Sequence, residues 1–455
     1  MPKRGSTIEK APVKSKVCLV TLGCAKNLVD SEVMLGLLRA DGYPVTPELE
    51  KAEIGIINTC GFIQSAVEES VAMILEIADL KRTGKLRKLY VAGCLVQRFG
   101  YKLRKELPEV DGWLGTGEVG AIVRLLNERG RGGVPFYISR PTFLVDHEIP
   151  RIQSSPIYTA YVKIAEGCSH HCAYCTIPAI RGPLRSRPTA SILAEVAAMA
   201  QRGVKEINLI AQDTTVYGGD LRHGASLEGL LERLVQVEGI QWIRLLYGHP
   251  QGISNRLLEL METWDKICPY LDIPLQHVHA DVLRKMGRAS DQENPWQLID
   301  RIRSRKRAIS LRSTCMVGFP GETEDAFKEL YDFVSWAEFD HLGAFIYSPE
   351  KGTRAARFDE TVDREAAEER LDKLMQLQAR ISLKKNRRMI SRVVPVLIEG
   401  PSEETDLLLR GRTAAMAPEV DGQVLINKGE GQPGDILPVR IRRAYAYDLV
   451  GEIVP

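Results

Sequence analysis

From Lys16 onward the chain alternates short apolar runs with longer amphipathic stretches, the mark of parallel strands joined by crossover helices. That alternation restricts the chain to an α/β fold whose strands share one carboxyl end, and ligands of open parallel sheets bind at that end. The first three runs, 17–23, 54–59 and 89–93, are each followed at once by a cysteine: Cys24, Cys60 and Cys94. One such cysteine reads as a packed thiol. Three in equivalent positions converge on one crevice, and they predict a three-thiolate cluster site. Cys18, near the start of the first run, is read as core.

A denser group follows the strand-like run 161–165. Gly167-Cys168-Ser169-His170-His171-Cys172-Ala173-Tyr174-Cys175 places three thiols within eight residues. Zinc in a structural site takes four ligands, and His170 or His171 could supply the fourth, but so short a loop strains tetrahedral closure. An iron–sulfur cube on three cysteines fits better and leaves one iron open to a substrate or cofactor. A disulfide or zinc loop is the plain alternative.

The totals frame this chemistry. With 455 residues, 44% hydrophobic and 26% charged, the chain has the composition of a globular protein. Its length suits roughly two to four domains. The first 16 residues carry Lys3, Arg4, Lys10, Lys14 and Lys16 without the apolar segment of a signal peptide. No run of about 18 apolar residues occurs, so a cytoplasmic protein that does not enter a membrane is expected. Nine cysteines in so long a chain are not a disulfide scaffold, which directs attention to metal or catalysis. A net charge of +2 does not announce nucleic acid.

Gly115-Thr116-Gly117-Glu118-Val119-Gly120 spells G-x-G-x-x-G ahead of a helix-like run at 121–127. It follows a fourth strand and lacks an acidic residue about 20 positions on, so a turn is expected there and not a dinucleotide site. Residues 128–151, punctuated by Gly130, Gly132, Gly133, Pro135, Pro141 and Pro150, read as a boundary loop. Beyond the cysteine loop, strands are expected at 207–211, 242–247, 270–274, 312–318 and 342–347. With 161–165 they make six strand–helix units, an incomplete barrel whose active face lies just past each strand. Gln212, Asp213, Gly318 and Gly321 are candidate cofactor contacts from their places there. Cys268 and Cys315 belong to no motif and are assigned to packing. A long helical pattern, acidic early and basic late, covers 361–392. Residues 393–455 are β-rich, with turns expected at 399–401, 421–422 and 432–435, as in a small antiparallel barrel. The division that follows is an N-terminal open parallel α/β sheet domain at 16–127, a linker at 128–153, the barrel at 154–382 and the C-terminal domain at 383–455.

C-x3-C-x2-C with an aromatic residue before the last cysteine resembles the signature of the radical S-adenosylmethionine enzymes. With its three pieces in this order, nearly the whole chain is similar to their methylthiotransferase family. That family joins an N-terminal three-cysteine domain, a partial (β/α)6 radical barrel and a C-terminal TRAM barrel. The runs 21–32, from Thr21-Leu22-Gly23-Cys24 to Glu32, 273–277 and 412–422 resemble its ribosomal-protein branch. The transfer-RNA branch differs after its first cysteine and lacks the Ala417-Pro418-Glu419-Val420-Asp421-Gly422 run. The resemblance implies two 4Fe-4S clusters, one on Cys168, Cys172 and Cys175, the other on Cys24, Cys60 and Cys94. It implies S-adenosylmethionine at the first, with Tyr174 near the adenine, and no catalytic residue beyond the cluster ligands. The implied reaction is methylthiolation of the β-carbon of an aspartate in the twelfth small-subunit ribosomal protein. Its unactivated C–H bond is beyond any protein base, and a 5′-deoxyadenosyl radical, made with an electron from the first cluster, takes the hydrogen. A second S-adenosylmethionine methylates sulfur held at the other cluster. An external electron donor and a sulfur source are then partners.

Charge supports the same branch. Residues 393–455 hold six basic and ten acidic side chains, a net of −4. Gripping phosphates calls for a basic surface, whereas an acidic one suits a basic ribosomal protein, so direct nucleic-acid binding is not expected. The rival readings are methylthiolation of a transfer-RNA adenosine, an iron–sulfur electron carrier without transferase activity, and a zinc-bound RNA-binding scaffold.

Overall fold

The computed structural model describes residues 14–128, 133–222, 224–289, 293–405 and 407–454. Lys3, Arg4 and Lys10 of the basic start, Gly130 and Gly132 of the boundary loop, and Asp406 of the C-terminal charge count lie outside them. The chain forms two compact units, one reaching to Phe143 and including Glu148–Ile152, the other comprising Leu144–His147 and the chain from Gln153 onward.

In the first unit, β1 (Val17–Thr21), β2 (Ile54–Thr59), β3 (Lys88–Gly93), β4 (Gly112–Leu114) and β5 (Phe136–Tyr137) form a parallel sheet in chain order. Crossovers run through α1 (Ala25–Ala40), α2 (Gln64–Arg82), α3 (Cys94–Glu106) and α4 (Ile122–Asn127). β2 is buried at every position, as a continuous apolar run in a sheet covered on both faces must be. Ile57, Ile74, Leu89, Val91, Leu95 and Trp113 fill this core, and Cys18 packs with them. β5 falls in the stretch read as a boundary loop. Its two residues pair with Trp113 and Leu114 and are too few to show a period. The G-x-G-x-x-G letters form a 3-10 turn at Thr116–Ala121 leading into α4. A Cβ at Gly117 would stand 2.9 Å from Pro141 Cα, so close packing accounts for that glycine.

The second unit starts with β6 (Thr159–Lys163) and a short antiparallel pair, β7 (Ala165–Glu166) and β8 (Arg185–Ser186). β9 (Glu206–Ile210), β10 (Trp242–Leu245), β11 (Ile267–Asp272), β12 (Ser310–Val317) and β13 (His341–Ile346) complete a six-stranded parallel sheet in the order β13-β12-β11-β10-β9-β6. The connecting helices are α5 (Ile177–Arg181), α6 (Thr189–Gln201), α7 (Leu227–Leu234), α8 (Asn255–Thr263), α9 (Ala280–Met286), α10 (Pro295–Arg303) and α11 (Glu324–Ala337). Several begin where a side chain satisfies an orphan amide: Ser226 for α7, Ser254 for α8, Asn294 in a capping box with Gln297 for α10, and Thr323 for α11. β11 starts three residues before its expected position because Ile267 and Cys268 are themselves buried in the sheet. Cys315 is likewise in the core.

α12 (Arg364–Arg387) is capped by Asp363 and is shorter than the pattern at 361–392. β14 (Val393–Pro401), β15 (Leu409–Thr413), β16 (Val424–Lys428), β17 (Ile436–Ala444) and β18 (Leu449–Ile453) close a barrel in the order β14-β15-β16-β18-β17. Four of its pairings are antiparallel and β16–β18 is parallel. The turn expected at 399–401 is a bulge inside β14: the register slips between Ile398 and Gly400, whose φ of 121° a side chain would not tolerate.

This small barrel is seated on the amino-terminal end of the six-stranded sheet. Glu206, the first residue of β9, accepts from Arg412 at 2.7 Å and from Arg244 of β10 at 3.0 Å, and Arg244 also donates to Ala414 O at 2.7 Å. Asp421 accepts from Arg312 of β12 at 2.6 Å and from Tyr270 Oη of β11 at 2.7 Å. The run 412–421 therefore closes the base of the sheet. No described helix is long and apolar enough to cross a membrane.

Candidate cluster sites

In the first unit, Cys24 stands immediately before α1, Cys60 follows β2, and Cys94 opens α3 directly after β3. They grade from exposed through half-buried to buried. A Cβ built on Gly23 would lie 3.2 Å from Cys60 Sγ, which places the first strand end against the second. Asn27 ties all three together: Nδ2 donates to Leu22 O (2.9 Å) and Thr59 O (3.0 Å), and Oδ1 accepts from Cys94 Sγ at 3.5 Å. Asn58 Nδ2 returns a bond to Asn27 O at 2.8 Å. Gly93 has φ 100°, and its Cβ would collide with Asn58 Oδ1 at 2.3 Å, so only glycine lets Cys94 begin a helix there. Cys24 and Cys94 both sit at helix amino termini whose first turns hold no acid, a placement that favours an anionic group. The donor set thus fits an anionic cluster. Asn27 and Asn58 were invisible as site residues in the sequence, since asparagine near a strand end also marks an ordinary turn.

In the second unit, Cys168, Cys172 and Cys175 occupy the loop between β7 and α5, beyond the carboxyl end of β6. Gly167 has φ 81°, and a Cβ there would fall 2.0 Å from Pro183 O, so the loop needs its glycine. Burial raises the Cys168 thiol and pushes Cys175 up to about 12, with each neighbouring thiol adding to the effect. Thiols placed this way ionise when a metal takes the sulfur. Cys175 Sγ accepts from Ile177 N at 3.4 Å, and Cys172 Sγ from Arg288 Nη1 at 3.6 Å.

The other sequence candidates fall around this loop. The Tyr174 ring meets Phe319 edge-on with centroids 6.4 Å apart, and Phe319 lies between Gly318 and Gly321 after β12. The amides of those two glycines are engaged within the protein, Gly318 N by Glu322 Oε2 and Gly321 N by Glu360 O. Gln212 Nε2 donates to Glu166 Oε1 at 2.7 Å. Glu166 is buried; burial raises its carboxyl, but Lys163 and Arg181 more than offset this and hold it well below the usual range. Asp213 accepts from His170 Nε2 at 2.6 Å, and His170 stacks on His249 with centroids 4.1 Å apart. Burial, with Arg288 and His170 nearby, pushes His249 down to about 3, so it is a neutral imidazole. Glu166 and Arg288 carry no motif in the sequence, whereas His249 stands in the polar run just past β10.

Among the described residues, polar atoms past the carboxyl ends of the strands that are buried without a hydrogen-bond partner include Gln212 Oε1, Gln276 Oε1 and Tyr347 Oη. Gln276 also holds φ 71°, and Tyr247, at the end of β10, φ 61°. Unmet polar atoms and strained backbone at one face fit a polar cofactor received there.

Residues 16–115 match the uncharacterized protein family UPF0004, residues 162–334 the radical SAM superfamily, and residues 390–454 the TRAM domain. The chain is 51% identical over 444 residues to "Ribosomal protein uS12 methylthiotransferase RimO" of Geotalea uraniireducens, covering 97% of this chain and 99% of that one. It belongs to the RimO family. A second member, from Syntrophotalea carbinolica, is 50% identical over 97% of both chains. Among solved structures, the radical S-adenosylmethionine methyltransferase TsrM of Kitasatospora setae, with cobalamin and a [4Fe-4S] cluster bound, matches with a TM-score of 0.53 at 16% identity, over 73% of this chain and 72% of that one. That likeness is one of fold.

Proposed function

We propose that this chain replaces a hydrogen on the β-carbon of an aspartate of ribosomal protein uS12 by a methylthio group. Full-length kinship to the RimO family supports the reaction. The observation that carries the assignment of residues is the pair of three-cysteine sets, each held at the carboxyl end of its own parallel sheet. Bound there, the clusters supply what side chains lack: at Cys168, Cys172 and Cys175 an electron for cleaving S-adenosylmethionine, and at Cys24, Cys60 and Cys94 an iron that holds sulfur.

The protein's own part is placement. Lys163 and Arg181 fix Glu166, which accepts a hydrogen bond from Gln212 Nε2, and the unpartnered Gln212 carbonyl oxygen would accept from the cofactor's amino group. Asp213 anchors the cysteine loop through His170. Gly318 and Gly321 shape the loop that presses Phe319 on Tyr174, which keeps Tyr174 in place for the adenine. The domains are 16–127 for the methylthiotransferase cluster domain, 128–153 for the linker, 154–382 for the radical barrel and 383–455 for the TRAM domain.

The C-terminal surface suits a basic partner. Asp421 and Glu399 are engaged in ion pairs with Arg312 and Arg412. Glu404, Glu419 and Glu430 remain exposed, as does Glu403 in its ion pair with Arg410, beside the exposed bases Lys428, Arg442 and Arg443. In this reading the electron donor and the sulfur source are separate molecules, and a ribosomal substrate is in keeping with a reaction in the cytoplasm. Mass spectrometry of uS12, incubated anaerobically with the reconstituted protein, reductant and S-adenosylmethionine, tests the reading. The mass of SCH3 for H on an aspartate is expected. Cleavage of S-adenosylmethionine with unmodified uS12 would leave the radical site standing and remove the substrate.

A further inference from the structure

Arg288 comes from the segment after α9, more than a hundred residues from the cysteine loop, yet it donates to Cys172 Sγ at 3.6 Å. Its other nitrogen, Nη2, donates to Pro274 O at 2.8 Å, which fixes the fork at the end of β11. Gly287, in the left-handed conformation at the carboxyl end of α9, turns the chain so that Arg288 faces inward. Ala173 N donates to Met286 O at 2.8 Å, so the segment and the loop are also joined through backbone. On the far side Arg288 lines a cavity of 480 Å³ with Leu275, Val278, Arg284 and Arg301.

Three thiolates make a cube anionic, and reduction adds another negative charge. Hydrogen bonds to the sulfurs and nearby fixed charge therefore favour the reduced form and raise its potential. A guanidinium cannot lose its charge in a protein. We propose that Arg288 is a positioning residue that acts through Cys172 and raises the reduction potential of the radical cluster. This rests on the assignment of Cys168, Cys172 and Cys175 as the ligands of that cluster.

Loss of the charge and any water admitted in its place shift the potential in opposite directions, which makes the proposal decidable. Loss of charge lowers it, whereas admission of water, which stabilises the more charged reduced form, raises it. The experiment is an EPR-monitored redox titration of the full chain in a background in which Cys24, Cys60 and Cys94 are alanine, so that one cluster remains. In Arg288→Gln the reduced-to-oxidised ratio at a fixed solution potential is expected to fall at least about tenfold, which is about 59 mV for one electron. Arg288→Lys, keeping the charge but not the fork, should lie between Gln and parent. Arg284→Gln, in the same cavity wall and paired with Asp281, should not move it.

Potentials equal to the parent in both Arg288 variants, or a rise in Arg288→Gln, would overturn charge compensation. If Arg288→Gln does not load a cluster, 15N-arginine labelling of the otherwise unaltered protein decides: a pulsed-EPR 15N coupling to the reduced cluster, lost in Arg288→Lys, is expected, and its absence overturns the proposal. A background protein that holds no 4Fe-4S signal at all would instead overturn the ligand assignment.

Discussion

The two ends of the six-stranded sheet are built on opposite principles. At the amino-terminal end, Glu206, Arg244, Arg412, Arg312 and Asp421 are all buried or nearly so, and each charge meets a partner of the other sign. At the carboxyl end, Gln212, Gln276 and Tyr347 keep buried atoms unmatched, two residues other than glycine hold positive φ, and three thiols face one another. A buried polar atom costs free energy unless it is matched. At the amino-terminal end the charges satisfy one another, whereas the unmatched atoms of the carboxyl end fit a polar ligand.

The sharpest way to break this contrast is Cys172→Ala. It should abolish 5′-deoxyadenosine formation from S-adenosylmethionine and lower bound iron by about half, while circular dichroism shows the fold intact. At the other end, Glu206→Ala strands Arg244 and Arg412 without their shared carboxylate. Urea unfolding should report a loss of about 3–5 kcal/mol, and the folded fraction should still bind iron at the parent ratio; an iron loss matching that of Cys172→Ala would show that the ends are not independent.

Acid gives a third handle. Burial raises the Glu206 carboxyl, but Arg412 and Arg244 bring it down to about 2 against an ordinary 4.5. Its contribution is therefore complete above the unfolded value and disappears as pH falls toward the folded one. The apoprotein should lose roughly 3 kcal/mol through this group between about pH 5 and pH 2, and Glu206→Gln should flatten that part of the profile. The smallest effect concerns strain. Gln276→Gly relieves a positive φ and should leave apoprotein stability unchanged or raise it by up to about 1 kcal/mol, while equilibrium dialysis shows weaker binding of S-adenosylmethionine.

The sequence showed most of the scaffold because that scaffold rests on period and position. Cys24, Cys60 and Cys94 were legible because each directly follows an apolar run that forms a strand, and Cys168, Cys172 and Cys175 because their spacing puts them in one loop. What escaped is long-range or local in a way that letters do not carry. Arg288 reaches Cys172 and Arg412 reaches Glu206 across more than a hundred residues, and neither contact leaves a spacing to read. Gly400-Pro401 looked like a turn because that pair usually punctuates, whereas here the glycine accommodates a bulge. The parallel pairing of β16 with β18 runs against the expectation that neighbouring strands in a small barrel fold back as hairpins. The charge count named the acids correctly but could not tell that Asp421 is internal.

That last point bears on inheritance. The stretch 412–422, one of the runs that resemble the ribosomal-protein branch, is a stopper fitted to one particular bore. A chimera that exchanged the C-terminal barrel between branches would have to carry Glu206, Arg244, Tyr270 and Arg312 with it, residues scattered over four strands of another domain. The tail and the floor of the sheet are matched charge for charge, and the two must be passed on as one unit.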